Sequence, residues 1–292
     1  MTLPAGIVIT FHPDPGFVDR LAALARQVAA TYVIDNGSDE LELSFVRRAT
    51  TAYGAVLVEN STNAGIATAL NQGMRLARDG GHAWVVTMDQ DTLALSTMVG
   101  DLTAVRDGAP APETVAVIGA GYVEGGVTTA PEDDADVVPE WCETHAVITS
   151  GCLTSVACWD RLGAFRDDLF IDSVDSEYCL RARRAGLRIL NSLRTTMVHR
   201  MGNTSRRRVL GHTFTVTDYP PLRHYTIARN LVVLAREYGL SEPYWITRTI
   251  LGRVRQNLKA LITMPSRGAK IAAIVRGLAD GLAGRMDRPV PR

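Results

Sequence analysis

Residues 1–107 alternate between two periodicities that do not share a conformation. Short apolar runs at residues 6–11 (GIVITF), 32–35 (YVID), 55–58 (AVLV) and 84–88 (WVVTM) read as buried strands. Between them, residues 17–30, 41–48, 65–77 and 96–106 carry apolar side chains at helical spacing, as at Phe17, Leu21, Leu24 and Val28. Strands alternating with helices of this length predict right-handed β-α-β units. The expected fold class is α/β: a Rossmann-like, mostly parallel central sheet flanked by helices. Every strand also ends in polar residues: Thr10 and His12, Asp35, Asn60 and Asn63, Asp89 and Asp91. In a parallel sheet these ends share one edge, where open α/β sheets bind ligands.

The fourth run is the most informative, because WVVTM passes directly into Asp89-Gln90-Asp91. On an extended backbone alternate side chains point the same way, so two carboxylates would crowd into one place. Hard oxygen donors of this kind suit Mg²⁺ or Mn²⁺; the alternative is a solvated turn after a strand. The chain has no G-x-G-x-x-G, no Walker A sequence and no Gly-rich, Arg- and Lys-bearing loop near its start. A pyrophosphate bound here would therefore depend largely on a metal. The formal net charge of zero predicts no nucleic-acid partner. Cys142, Cys152, Cys158 and Cys179 lack C-x-x-C spacing, which predicts reduced thiols. The N-terminus has no basic segment followed by a long apolar one, and no apolar run reaches about 20 residues. The expected location is the cytoplasm.

Several of these pieces, in this order and spacing, resemble a GT-A family 2 glycosyltransferase. They are Ile9-Thr10-Phe11, Asp35-Asn36-Gly37-Ser38, Asn63-Ala64-Gly65 with Asn71-Gln72-Gly73, and Asp89-Gln90-Asp91-Thr92. The D-Q-D-[ST] form is similar to bacterial rhamnosyltransferases that use dTDP-L-rhamnose. Residues 170–181 (FIDSVDSEYCLR), His199 to Gly202 and residues 224–230 (HYTIARN) match the same subgroup, so the resemblance covers about residues 6–235. It implies a GT-A catalytic domain over 1–218, with a nucleotide-sugar half over 1–107 and an acceptor half over 108–218. A helical extension follows over 219–292.

Carried over by position, the resemblance implies that Thr10 and Phe11 line the base pocket and that Asp35 meets base or ribose. Strand packing remains the alternative for Phe11, and an Asx-turn role for Asp35. Asn63 and Gly65 would open a helix whose N–H groups favour an anion, with capping by Asn63 equally supported. Asp89 would meet the ribose or the metal sphere, Gln90 would face the nucleotide, Asp91 would ligate the Mg²⁺ or Mn²⁺, and His199 would complete the metal site. Gly151 would form a small-residue turn beneath the donor sugar, and Trp159 would frame the acceptor site. Asp175 matches the general base, with Asp172 as its competitor because Val174 stands where the family often has a second acid; otherwise Asp172 would line the donor-sugar and acceptor site. Glu177 and Arg181 are spaced for a surface salt bridge.

The resemblance implies inverting transfer from dTDP-β-L-rhamnose to a hydroxyl of a polysaccharide or lipid-linked glycan precursor. The alternatives are another donor, such as UDP-galactofuranose or a hexose nucleotide, or a non-catalytic sugar-nucleotide-binding protein. Residues 124–143 are acidic and read as a loop or β-excursion near the site. From Glu242 onward there are ten Arg or Lys against three acids, interleaved with Trp245, Ile250, Leu251 and Leu258. This pattern reads either as a basic amphipathic surface for an anionic membrane or as a packing face, including one between copies in a homo-oligomer.

Overall fold

The structure is a computed structural model that describes residues 2–124, 127–128, 140–198, 204–209, 212–217, 219–263 and 267–286. It forms two compact units, Met1–Asp167 with Tyr178–Arg200, and Asp168–Glu177 with Met201–Arg292.

In the first unit, β1 (Ala5–Thr10), β2 (Thr31–Asp35), β3 (Val56–Glu59) and β4 (Trp84–Asp89) lie parallel in the order β3-β2-β1-β4. Their connections are α1 (Phe17–Ala25), α2 (Glu40–Ala52) and α3 (Ile66–Asp79). Val8, Val33 and Val86 on the sheet bury against Phe17, Leu21 and Leu24 of α1 and Val46 of α2. Gly73 lets α3 close onto β1, since a Cβ there would collide with Ile7. The helix expected over 17–30 stops at Ala25. Gln27 N bonds Leu24 O and Ala29 N bonds Pro4 O, so the chain turns into β2 instead. The second helix runs on to Ala52, past the expected 48, with Thr50 and Thr51 bonding back to carbonyls of the preceding turn.

The chain continues through β5 (Leu93–Ala94), α4 (Met98–Gly108), β6 (Val115–Glu124), β7 (Val127–Thr128), β8 (Trp141–Glu143), β9 (Cys152–Ser155), α5 (Val156–Leu162), α6 (Val174–Arg184) and β10 (Arg188–Val198). These strands extend the sheet in the order β4-β9-β6-β10-β5, with β7 on β6 and β8 on β10. β9 is antiparallel to both β4 and β6, while β10 is parallel to β6. Six strands therefore share one direction and β9 runs against them between β4 and β6. The chain enters β9 at Gly151, whose φ of +74° favours glycine and whose Cβ would strike Met197 Sδ. Gly151 N bonds Thr87 O and its own carbonyl accepts from Ala120 N, stitching the turn to both neighbouring strands. β7 paired with β6 is the β-excursion alternative for the acidic stretch, of which residues 129–139 lie outside the described ones.

The second unit contains an unanticipated hairpin of β11 (Thr204–Val209) and β12 (His212–Thr217), and the helices of the expected C-terminal extension. These are α7 (Pro221–Tyr238), α8 (Pro243–Thr263) and α9 (Arg267–Leu282). Gly277 and Gly281 let α9 approach the α7 backbone at Tyr225 and Arg229. Tyr225 Oη donates to the buried Asp280 at 3.1 Å. Burial, then that carboxylate, pushes the Tyr225 phenol above its ordinary pKa. Among the described residues no helix is long and apolar enough to cross a membrane.

Candidate active site

The parallel register sets the polar strand ends side by side. Thr10 pairs with Asp35, Asp35 with Glu59, and Ile9 with Asp89, so the ends of β1 to β4 form one edge as expected. Asp35 is fully buried there. Its Oδ1 accepts from Gly37 N and Ser38 N, and its Oδ2 from Thr10 Oγ1 at 2.8 Å and Ser38 Oγ at 2.6 Å. This is the Asx-turn alternative, and it also accounts for the buried Thr10 hydroxyl. Phe11, by contrast, is 40% exposed at the mouth of the edge.

Asn36, which the sequence shows only as part of the Asp35–Ser38 turn motif, organises the next loop. Its amide donates to Asn63 Oδ1 and Gly65 O, while its Oδ1 accepts from Ala64 N and Asn60 Nδ2. Asn60 and Gln72 exchange a reciprocal pair of bonds. Asn63 does not cap α3: the N-cap is Gly65, with φ +87° and no side-chain cap. Asn63 Oδ1 instead accepts from Gly65 N. The first turn of α3 thus points its amides outward without a capping side chain, the arrangement that favours an anion.

The D-Q-D segment is a turn. β4 ends at Asp89, and Thr92 N bonds Asp89 O at 3.2 Å, so the extended-backbone argument for aligned carboxylates does not apply. The turn is braced on both sides. Gln90 exchanges two bonds with the Phe11 backbone, at 2.7 and 2.9 Å, prolonging the contact between β1 and β4. Arg20 Nε donates to Gln90 O at 2.6 Å and its guanidinium pairs with Asp14. On the far side Ser150 Oγ accepts from Asp89 N and donates to Thr92 Oγ1. Asp89 and Asp91 are both half-buried between these braces. Arg20 and Ser150 are positioning residues that sequence patterns missed, since their partners lie 58 to 70 positions away. Among the described residues, the metal-capable groups that cluster within 4.8 Å are His12, Asp39 and Glu42 instead. His199 lies outside the described residues.

Trp159, expected to frame an acceptor, is buried in α5 with the Arg78 guanidinium 5.9 Å from its ring. Nearby, Asn71 of α3 holds the following loop through Phe165 N, Phe165 O and Asp167. Arg181 donates to the carbonyls of Leu162, Gly163 and Ala164. Glu177, expected on a surface, is buried and accepts from Tyr238 Oη at 2.9 Å.

In the second unit, the turn before α6 carries Phe170, Asp172 and Ser173 at φ +61°, +66° and +63°. Asp172 accepts from Arg223 Nε at 3.1 Å and Thr226 Oγ1 at 2.9 Å, and its side chain is 6% exposed. Asp175 is half-buried in the first turn of α6.

A Rossmann-like sheet with β9 reversed, its polar strand ends on one edge, is the architecture of the GT-A glycosyltransferases. Aligned on solved structures, the chain has a TM-score of 0.58 with the mannosyltransferase PcManGT of Pyrobaculum calidifontis, solved with GDP-Man and Mn²⁺. That match is 15% identical and covers 98% of this chain and 88% of that one. With S. aureus TarS 1–349 in complex with UDP the TM-score is 0.53 at 16% identity, over 99% and 93% of the two chains. The chain spans 39% of the longer TarS chain. In sequence it is 23% identical to the dTDP-rhamnosyl transferase RfbF of Shigella flexneri over 246 residues, 79% of each protein. Residues 7–134 match the family model described as glycosyl transferase family 2. Over residues 7–134 the chain is thus similar to family 2, and it is a glycosyltransferase.

Proposed function

We propose that this chain transfers L-rhamnose from dTDP-β-L-rhamnose to a hydroxyl of a glycan or lipid-linked precursor, with inversion. The observation that carries the donor is the RfbF relative, which aligns along 79% of the chain. The D-Q-D-T sequence adds to it. Asp175 takes the proton from the acceptor hydroxyl as general base. The oxygen attacks the anomeric carbon as the bond to the diphosphate breaks, so a β-L donor yields an α-L-rhamnoside and the electron pair leaves with the nucleotide. The uncapped first turn of α3 suits an anionic group, and the exposed Phe11 ring offers a face to a base.

Asp89 and Asp91 are oxygen donors on a braced turn, and Mg²⁺ or Mn²⁺ sites are commonly completed by one or two carboxylates plus substrate phosphates. The residues present therefore fit a divalent ion held by Asp91, with His199 as the further ligand. When bound, such an ion supplies Lewis-acid neutralisation of the leaving diphosphate.

A donor-hydrolysis screen tests the reading, using dTDP-L-rhamnose, UDP-galactofuranose, UDP-glucose and GDP-mannose, each with and without Mn²⁺. The expected result is fastest nucleotide release from dTDP-L-rhamnose. Faster release from any other donor overturns the rhamnose assignment.

The C-terminal helices support a peripheral contact with an anionic membrane, where a lipid-linked acceptor would lie. Leu251, Val254 and Leu258 of α8 and Ile271, Val275, Leu278 and Leu282 of α9 are exposed at helical spacing. Arg248, Arg255, Lys259, Arg267 and Arg276 are exposed on the same helices, whereas Asp280 is buried. Exposed apolar stripes beside charges that, among the described residues exposed on these two helices, are all cationic match an anionic interface. Truncating the chain before α9 would strip packing from α7, so the test uses the full chain. Wild type is expected to float with phosphatidylglycerol vesicles, and Leu258→Glu with Val275→Glu is expected to remain in the dense fraction. Flotation by neither protein, together with a dimer in sedimentation that the same substitutions dissociate, would assign these faces to a second copy.

A further inference from the structure

We propose that Asn230, oriented by Arg229, is a positioning residue that presents Asp175 to its substrate; this rests on the general-base reading of Asp175 above. The starting observation is conformational. Phe170, Asp172 and Ser173 all hold left-handed backbone angles within four residues, and none is glycine. Such angles are sterically disfavoured for a residue that carries a Cβ. A strained turn of this kind persists only where its surroundings over-determine it.

The surroundings here come from α7. Asn230 Nδ2 donates to Leu169 O at 3.0 Å, Ile171 O at 3.0 Å and Asp172 O at 2.8 Å, so its amide hydrogens are shared among three carbonyls. Its Oδ1 accepts from Arg229 Nε at 3.0 Å, which fixes the direction the amide faces. Arg229 Nη2 donates in turn to Asp168 O at 2.9 Å and Leu169 O at 3.2 Å. Both side chains are fully buried. One and two turns earlier on α7, Thr226 and Arg223 hold the Asp172 carboxylate. At the other end, Tyr238 Oη holds Glu177, whose N–H bonds Ser173 O.

Asp175 therefore lies on a segment fastened to α7 both before and after it. Ordinary helix capping would have required one side-chain acceptor. Two buried side chains reaching the carbonyls of residues 168 to 172 instead dictate the path of the turn itself, and with it the direction in which the first turn of α6 leaves. A general base must meet its proton at hydrogen-bond distance, and a misplacement of about 1 Å can cost about 10²-fold.

The test is a double-mutant cycle on the full chain. It measures nucleotide release from whichever of the four screened donors the wild-type chain turns over. Asn230→Ala is expected to lower kcat about 30-fold or more, leave donor KM within about threefold, and add less than about twofold to the loss in Asp175→Asn. A residue that only stabilises the fold would not give this pattern, because its loss would multiply in full with that of Asp175→Asn. Full multiplication, or a kcat for Asn230→Ala within threefold of wild type, overturns the proposal. If Asn230→Ala is insoluble, Arg229→Lys removes the orienting donor and is judged by the same cycle. Near-normal turnover by Asp175→Asn alone would instead refute the general-base reading, and is scored separately.

Discussion

Asp175→Asn is expected to lower transfer by about 10³-fold or more while donor binding stays within about threefold. The substitution is nearly isosteric and its remaining oxygen can still accept from Ser176 N, which bonds Asp175 Oδ1 at 2.7 Å. The first turn of α6 should therefore keep its shape, and circular dichroism should be unchanged. What is lost is the basic oxygen that takes the acceptor proton. Because that step is needed only as the hydroxyl attacks, the deficit falls on kcat and spares ground-state affinity for the nucleotide. Asp172 competes for the same role in sequence, but the structure commits its carboxylate to Arg223 and Thr226. Initial rates with saturating donor, alongside calorimetric titration with the nucleotide sugar, separate the two quantities. Near-normal turnover would return the role to another acid.

The contrast between these two aspartates marks where local pattern stops carrying information. β1 to β4 and α3 were legible to within two residues, because apolar periodicity and the polar strand ends are local signals. The Asx turn of Asp35 was legible too, since Asn36, Gly37 and Ser38 follow it directly. The antiparallel insertion of β9 was not, because pairing with β4 and β6 is set by contacts 33 or more residues apart. For the same reason D-Q-D left an extended and a turn reading open in the sequence, and the structure has the turn. The turn is dictated by Phe11, Arg20 and Ser150, which bind it from distant parts of the chain. Likewise Arg229 and Asn230 showed as a motif through family resemblance, but their partners 58 to 61 residues upstream do not. Gln90 changes meaning most. Noted first as a hint of the donor, it spends its amide on the Phe11 backbone, so its contact with β1 shapes the turn that offers Asp91.

Asp91→Ala is accordingly expected to remove most of the metal dependence of donor binding. Gln90 is pinned on one side and Thr92 on the other, so Asp91 is presented from a turn whose backbone is already fixed. Removing one side chain there leaves the braces in place, and the variant should fold normally. A carboxylate that ligates a divalent ion contributes to donor affinity only when that ion and the diphosphate are both present. Titration of wild type with dTDP-L-rhamnose should therefore weaken by about tenfold or more, about 1.4 kcal/mol, when Mg²⁺ is replaced by EDTA. For Asp91→Ala the two titrations should coincide near the weaker value. Asp89 offers a useful contrast, since its backbone is held by Ser150 and its side chain sits at the strand end proper. If Asp91→Ala binds the donor in Mg²⁺ as wild type does, the metal is not held at this turn. The diphosphate must then rely on the amides of α3, whose first turn lacks a side-chain cap.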